Sequence, residues 1–190
     1  MADVIQLMQA DHQRICALLD ALDDLMCHRS AVFAPASLAR TWQQLRRLLD
    51  LHTDAEEEIC FIALFGRGPG AAAQIREAIA DHEDIREVAQ ETDLQPIGSA
   101  AWWRLVTAIR RTASQHIVRE EQGPLAAFAG SAAPGLREEL GRQWLSFVGA
   151  RVRDDPVEYV HLRAPAGAGS RSAGQPRPRQ EGCGGRGDLT

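Results

Sequence analysis

A histidine and a glutamate interrupt the most regular apolar stripe of this chain. From Leu38 to Ala63, apolar side chains recur at steps of four and three, which is the spacing of one buried face of an α-helix. His52 and Glu56 fall on this face, one turn apart, where apolar residues are expected. An imidazole and a carboxylate removed from water need partners, because burying an uncompensated charge is costly. The stripe therefore predicts a helix with a polar site on its core face, satisfied by the pair itself or by a metal ion.

The same arrangement occurs again later in the chain. A second stripe also ends in a histidine and a glutamate four residues apart, and it comprises Trp102, Val106, Ile109, Ala113, His116 and Glu120. Two other histidines, His12 and His82, each follow an Ala-Asp pair and fall on apolar stripes of their own. The chain thus contains two similar halves, each with a lone-histidine helix and then a His-x-x-x-Glu helix. This repetition favours a single site shared by the two halves over two independent buried His–Glu pairs.

The periodicity predicts an all-α fold, since no segment shows the period-two pattern of a strand. Helices are expected at about 2–28, 36–65, 71–93, 99–122 and 136–153, with breaks at the intervening glycines and prolines. Short connections favour an up-down-up-down antiparallel four-helix bundle with an extra C-terminal helix, over residues 1–155. At about 1.5 Å of rise per residue, such a bundle brings the four histidines near one level. Residues 156–190, rich in Gly, Pro and Arg, are expected to form a flexible, disordered tail.

Composition limits the possible partners and compartments. The formal net charge of the 190 residues is −5, which argues against nucleic acid as the main partner and is compatible with cation binding. No apolar run is long enough to span a bilayer, and the beginning of the sequence lacks the apolar core of a signal peptide. The four cysteines form no close pair. We therefore expect a cytoplasmic protein without a membrane partner, and the sequence does not identify a protein partner.

The ligand types restrict the chemistry of the predicted site. Four imidazoles and two carboxylates suit two borderline divalent ions of the iron, zinc or copper class. A ferritin-type diiron site needs Glu-x-x-His, but the residues three before each histidine are Gln9, Leu49, Ile79 and Ala113. A mononuclear zinc site stays possible, although it would leave ligands unused.

The order and spacing of these residues resemble the hemerythrin-like HHE cation-binding domain, over about residues 1–130. The resemblance implies a non-haem diiron centre in a four-helix bundle, with two Fe ions joined by an oxo or hydroxo bridge. It also implies that His12 and His52 bind one iron and that His82 and His116 bind the other. Glu56 and Glu120 would bridge the two ions.

The sequence departs from the oxygen-carrying hemerythrins at two positions. These proteins have a further histidine four residues after the third-helix histidine, where this chain has Arg86. They also have an aspartate five residues after the fourth-helix histidine, where this chain has Glu121 and carries Glu120 one residue earlier. Reversible oxygen carriage is therefore not expected. The favoured function is reaction with a small ligand (O2, H2O2 or NO), and the alternative is a metal- or oxygen-dependent sensor or binding module without turnover.

Residues next to the predicted ligands have several possible roles. Glu57 and Glu121 are expected mainly as solvated charges, with an extra ligand role as the alternative, and Arg86 either points to the site or extends to solvent. Asp11 and Asp81 could accept hydrogen bonds from a ligand histidine on a neighbouring helix. Cys16 and Cys60 are expected in packing, with a redox role as the alternative. Packing is also expected for Trp42, Trp102, Trp103 and Trp144, and a surface position for His28 and His161.

Overall fold

The structure is a computed structural model, and it describes residues 2–27, 35–64 and 70–154. The predicted tail at 156–190, the two histidines expected at the surface (His28 and His161) and most of the glycine-rich break at 66–70 lie outside these ranges. Within them every regular element is helical, so the predicted all-α fold is confirmed.

Seven α-helices and one π-helical turn make up the described part of the chain. They are α1 (Val4–Cys27), α2 (Pro35–Ala55), the π turn (Glu56–Cys60), α3 (Phe61–Leu64), α4 (Ala71–Asp93), α5 (Ala100–Gln122), α6 (Pro124–Ser131) and α7 (Pro134–Asp154). The hydroxyl of Ser99 caps α5 by accepting a hydrogen bond from the backbone N–H of Trp102 at 3.1 Å. Gly123 and Pro124 end α5 and open α6. No helix in the described ranges is long and apolar enough to cross a bilayer.

Side-chain pairs between the long helices show that neighbours run antiparallel. Between α1 and α5, Arg110 pairs with Asp20 near one end and His12 contacts Glu120 near the other. Partners on α2 and α4, and on α4 and α5, also run in opposite sequence order. Helices α1, α2, α4 and α5 therefore form the up-down-up-down bundle that the sequence predicted.

A layer of buried polar residues lies between two hydrophobic clusters. The first cluster includes Ile15, Leu19, Leu45, Ile85 and Ile109, and the second includes Met8, Phe61, Ile75, Phe128 and Trp144. On α1, α2 and α4 the buried histidine stands between residues of one cluster and residues of the other. The apolar stripes thus hold the helices together, and the interruptions in those stripes create the polar layer.

The π turn is a correction to the predicted second helix. The regular spacing placed Ile59 and Ala63 on the buried face, but both are only partly buried, while Cys60 and Leu64 are buried. A π turn closes its hydrogen bonds over five residues instead of four and so adds one residue to the helix. The buried face after Glu56 is therefore shifted by one position.

The C-terminal helix α7 packs against α1 and α2. Gly141 lies so close to the N-terminal segment that an added Cβ would collide with the carbonyl oxygen of Ala2. The buried ring of Trp144 meets the ring of His52 edge-on, with the centroids 5.7 Å apart. The extra helix therefore covers one side of the polar layer.

Candidate metal centre

Glu56 stands at the centre of the polar layer, with two histidines near each of its carboxylate oxygens. Oε1 lies 2.8 Å from Nε2 of His52 and 3.8 Å from Nε2 of His12. Oε2 lies 3.2 Å from Nε2 of His82 and 3.9 Å from Nε2 of His116. All five residues are at least 97% buried. One carboxylate thus separates the four imidazoles into the two pairs that the resemblance implied.

Glu120 contacts the same layer from α5 and is also buried. Its Oε2 lies 3.2 Å from Nε2 of His12 and 3.8 Å from Nε2 of His116, one histidine of each pair. Donor atoms of His12, His52, Glu56 and Glu120 all lie within 4.8 Å of one another, as do donor atoms of Glu56, His82 and His116. The six residues predicted as ligands are therefore together, in two overlapping groups that share Glu56.

The other ring nitrogen of each histidine faces a carboxylate on a neighbouring helix. Nδ1 of His12 donates to Glu121 at 2.9 Å, and Nδ1 of His82 donates to Glu57 at 2.8 Å. Nδ1 of His116 donates to Asp81 at 3.3 Å, and Nδ1 of His52 lies 3.9 Å from Asp11. An acceptor at Nδ1 fixes the ring and its tautomer and leaves Nε2 free to bind a metal.

These contacts decide between the roles considered for the four acids. Asp11 and Asp81 face ligand histidines, as one interpretation of the sequence proposed. Glu57 and Glu121 do the same, so the expectation of mainly solvated charges is wrong for both. Their side chains are 29% and 39% exposed, and one end of each reaches the polar layer.

The side chain of Arg86 contacts side chains of the second helix. Oxygen-carrying hemerythrins have a histidine at this position. Nη2 of Arg86 donates to Thr53 and Asp54 at 3.0 Å and lies 2.9 Å from Oε1 of Glu57. The same Glu57 oxygen accepts the hydrogen bond from His82. The guanidinium therefore acts on the histidine through Glu57.

The residues of the polar layer fit a metal because most of their inward-facing atoms make no hydrogen bond. Nε2 of His12, Nε2 of His52 and both oxygens of Glu56 and of Glu120 are buried, and although some of them lie within ion-pair distance of one another, none makes a hydrogen bond of good geometry in the described chain. Buried polar atoms in proteins are nearly always satisfied, so a convergent group of unsatisfied donors and acceptors indicates a missing partner. A cation of the iron or zinc class satisfies imidazole nitrogen and carboxylate oxygen together.

The pKa values of the histidines also indicate that the buried carboxylates stabilise positive charge in this layer. Burial lowers the pKa of His12, but Glu120 and Glu56 outweigh burial and raise it to about 11. Burial likewise lowers the pKa of His52, and Glu56 outweighs it and raises the value to about 9. His116 differs because burial dominates and lowers its pKa to about 4. Without a metal, protons on some of these imidazoles supply the positive charge that the carboxylates need.

The remaining candidates lie where packing residues are expected. Cys60 is buried beside the layer, with its Sγ 3.8 Å from the sulfur of Met8, and Cys16 is half-buried. All four tryptophans are buried. The contact of Trp144 with His52 was not predicted, because the periodicity of α7 does not show which helix it packs against.

Comparison with known proteins gives the family. No curated protein and no solved structure matches the chain. Residues 3–127 match the family described as "Hemerythrin HHE cation binding domain", and this range contains α1 to α5, part of α6 and all six residues of the polar layer that were predicted as ligands. The chain therefore belongs to the hemerythrin HHE cation-binding domain family.

Proposed function

We propose that this protein holds two iron ions in the polar layer and reacts with a small oxidant or diatomic molecule: H2O2, O2 or NO. His12 and His52 hold one ion, and His82 and His116 hold the other. Glu56 would serve both ions, and Glu120, which faces His12 and His116, would serve the first ion and reach toward the second. The observation that carries the proposal is the position of Glu56, whose two oxygens face two different histidine pairs.

The chain's own residues provide three things for this reaction. They fix the orientation of Nε2 in His12, His82 and His116, because Nδ1 of each donates a hydrogen bond to a carboxylate, and Asp11 lies 3.9 Å from Nδ1 of His52. They exclude bulk water, since the six residues are almost fully buried between two apolar clusters. They also balance the charge of the ions, with two glutamates inside the layer and four acids behind the histidines. An iron pair, when bound, supplies redox chemistry toward peroxide, dioxygen and nitric oxide.

Arg86 bears on the choice between reaction and reversible oxygen carriage. An imidazole at this position would give the His82–His116 pair a third neutral donor, whereas the arginine contributes none and holds an anionic carboxylate against His82. An ion held there by fewer protein donors would leave a position open to a small ligand. We therefore expect the iron-loaded protein to react with O2 and not to release it intact.

The test is to mix iron-loaded protein with peroxide, nitric oxide or oxygen and to follow consumption of each by stopped flow. Consumption over many turnovers supports the proposal, and release of intact oxygen under vacuum with no peroxide turnover contradicts it.

The alternative, a sensor without turnover, has its own supporting observation. Arg151 of α7 donates to Asp54 at 2.6 Å, and Asp54 also accepts from Arg86, so the last described helix is linked to the layer. Metal-dependent protease resistance without turnover would favour that function.

A further inference from the structure

A cavity leads from the surface between α4 and α5 to the polar layer. Its volume is about 160 Å³, and it is lined by Gln74, Glu77, Ala78, Asp81, His116, Arg119, Glu120 and Pro124. About 10–15 Å³ is enough to hold a water molecule, so the cavity has room for several. Two of its lining residues, His116 and Glu120, belong to the polar layer.

The acidic residues of this cavity are ordered by depth. The side chain of Glu77 is 62% exposed at the mouth, that of Asp81 is 15% exposed, and Glu120 is buried at the inner end. Neither oxygen of Glu120 has a hydrogen-bond partner. A row of carboxylates that ends on an unsatisfied one attracts a cation inward and offers it successive ligands.

One side chain of the cavity wall pairs with both outer carboxylates. Arg119 of α5 donates to Asp81 through Nη2, and its Nε lies 3.5 Å from Glu77. The guanidinium thus pairs with the two outer carboxylates, those of Glu77 and Asp81, although the Arg119 side chain is 43% exposed. An exposed ion pair of this kind is weak and easily exchanged, so Arg119 can leave without disrupting the fold.

We propose that this cavity is the route by which metal ions enter and leave the polar layer, with Arg119 as its gate. An incoming divalent cation displaces the guanidinium from Glu77 and Asp81 and then passes to Glu120 and His116. At Glu77 and Asp81 the displacement exchanges one cation for another on the same carboxylates, and the released guanidinium is hydrated because its side chain is already exposed. The apolar clusters above and below the layer offer no comparable row of ligands in the described chain.

The proposal is tested by the kinetics of Co2+ uptake into metal-free full-length protein and of its removal by a chelator. Glu77→Gln should slow uptake, and Arg119→Gln should speed both uptake and release, each by about threefold to tenfold at low salt. The matched controls are Glu83→Gln on α4 and Arg111→Gln on α5, which are exposed on the same helices away from the cavity. Gln74→Trp, which fills the mouth without a change in charge, should slow both directions.

Glu77→Gln and Arg119→Gln should change the rate of Co2+ uptake in opposite directions. This difference distinguishes an entry route from a salt bridge that only stabilises the fold. If Arg119 and Glu77 only stabilise the fold, both substitutions lower Tm and neither changes uptake in a charge-dependent direction, which would overturn the proposal. It would also be overturned if Gln74→Trp took up Co2+ at the wild-type rate while losing peroxide consumption, because the cavity would then serve the substrate. Since Co2+ uptake requires no turnover, this result is independent of the reaction proposed above.

Discussion

Glu57 and His82 share a hydrogen bond of 2.8 Å, and the same carboxylate oxygen lies 2.9 Å from Arg86. The pKa of Glu57 is lowered, mainly by the hydrogen bond from His82 and further by Arg86, so the carboxylate stays ionised. An ionised acceptor makes the histidine a better metal ligand, because it stabilises the positive charge that develops on the ring.

The first prediction concerns this acceptor. Glu57→Gln replaces the anion with a neutral amide, and we expect metal affinity to fall about 10-fold to 100-fold. Competition with a chromophoric chelator measures the affinity. Glu58→Gln is the matched control, since Glu58 is more exposed and accepts from Arg151 instead of a histidine. Equal affinities for the two variants would contradict the role given to Glu57.

Arg86 should act on metal affinity through Glu57, and a double-mutant cycle tests this prediction. Arg86→Gln alone should weaken binding, because it removes the guanidinium that holds Glu57 in place. In the Glu57→Gln background the same change should have a much smaller effect, since the residue it acts through is already neutral. Additive effects would show that Arg86 acts independently of Glu57.

Glu56 and Glu120 should differ in their effect on metal stoichiometry. Glu56 belongs to both ligand groups, whereas Glu120 belongs to the group of His12 and His52. We expect about two irons per chain in the wild-type protein, about one in Glu120→Ala, and less than one in Glu56→Ala. Elemental analysis of each variant after anaerobic loading measures the ratio. One metal per wild-type chain, retained in full by Glu120→Ala, would refute a two-ion centre.

Metal-free protein should lose stability as the pH rises above about 6.5, the ordinary pKa of histidine. Folding raises the pKa of His12 to about 11 and that of His52 to about 9. The folded state then binds more protons than the unfolded state. This stabilisation is complete below pH 6.5 and decreases above it, with the part from His52 lost as the pH rises through about 9 and the part from His12 lost as it rises through about 11. His116, with its pKa lowered to about 4, acts in the opposite direction only between pH 4 and 6.5.

Urea unfolding of the metal-free protein at pH 6.5, 8 and 9 measures this dependence. Protein loaded with Zn2+, which has no redox chemistry, is the control, and its stability should fall less because the ion replaces the protons. A metal-free protein whose stability increases from pH 6.5 to 9 would contradict the assignment.

The last prediction concerns α7. Trp144→Leu should lower both Tm and metal affinity, because the indole packs against the ring of His52. Trp103→Leu is the control, since Trp103 is buried in the other hydrophobic cluster and makes its ring contact with Trp102. It should lower Tm without changing metal affinity, measured by chelator competition. If both variants bind metal as the wild type does, α7 only covers the bundle.

The sequence was sufficient for the helices and for the six residues of the polar layer. Periodicity locates a core face, and a polar residue on that face stands out because it breaks the pattern, as His52 and Glu56 do. The sequence also contained a signal for the four acids that face the Nδ1 atoms of the histidines: Asp11, Glu57, Asp81 and Glu121. Each is adjacent in sequence to a predicted ligand, as in Asp11-His12 and Glu56-Glu57, and a step of one residue turns a side chain by about 100° toward the next helix.

Other features depend on contacts that periodicity does not contain. The π turn adds one residue, and the run of three glutamates at 56–58 is compatible with either helical spacing. The contact of Trp144 with His52 and the link from Arg151 to Asp54 depend on where α7 packs, which its own apolar pattern does not determine.

The polar layer also has a topological consequence. Its four histidines are separated along the chain by thirty to forty residues, and each comes from a different helix. An ion bound to two of them closes a loop of that length, and a carboxylate shared between two ions ties the loops together. Cross-links that close loops of this size restrict the unfolded chain as well as joining folded parts. In the centre proposed here, a reversible bond to metal would therefore do what disulfides do in other proteins, and its strength would follow the supply of metal.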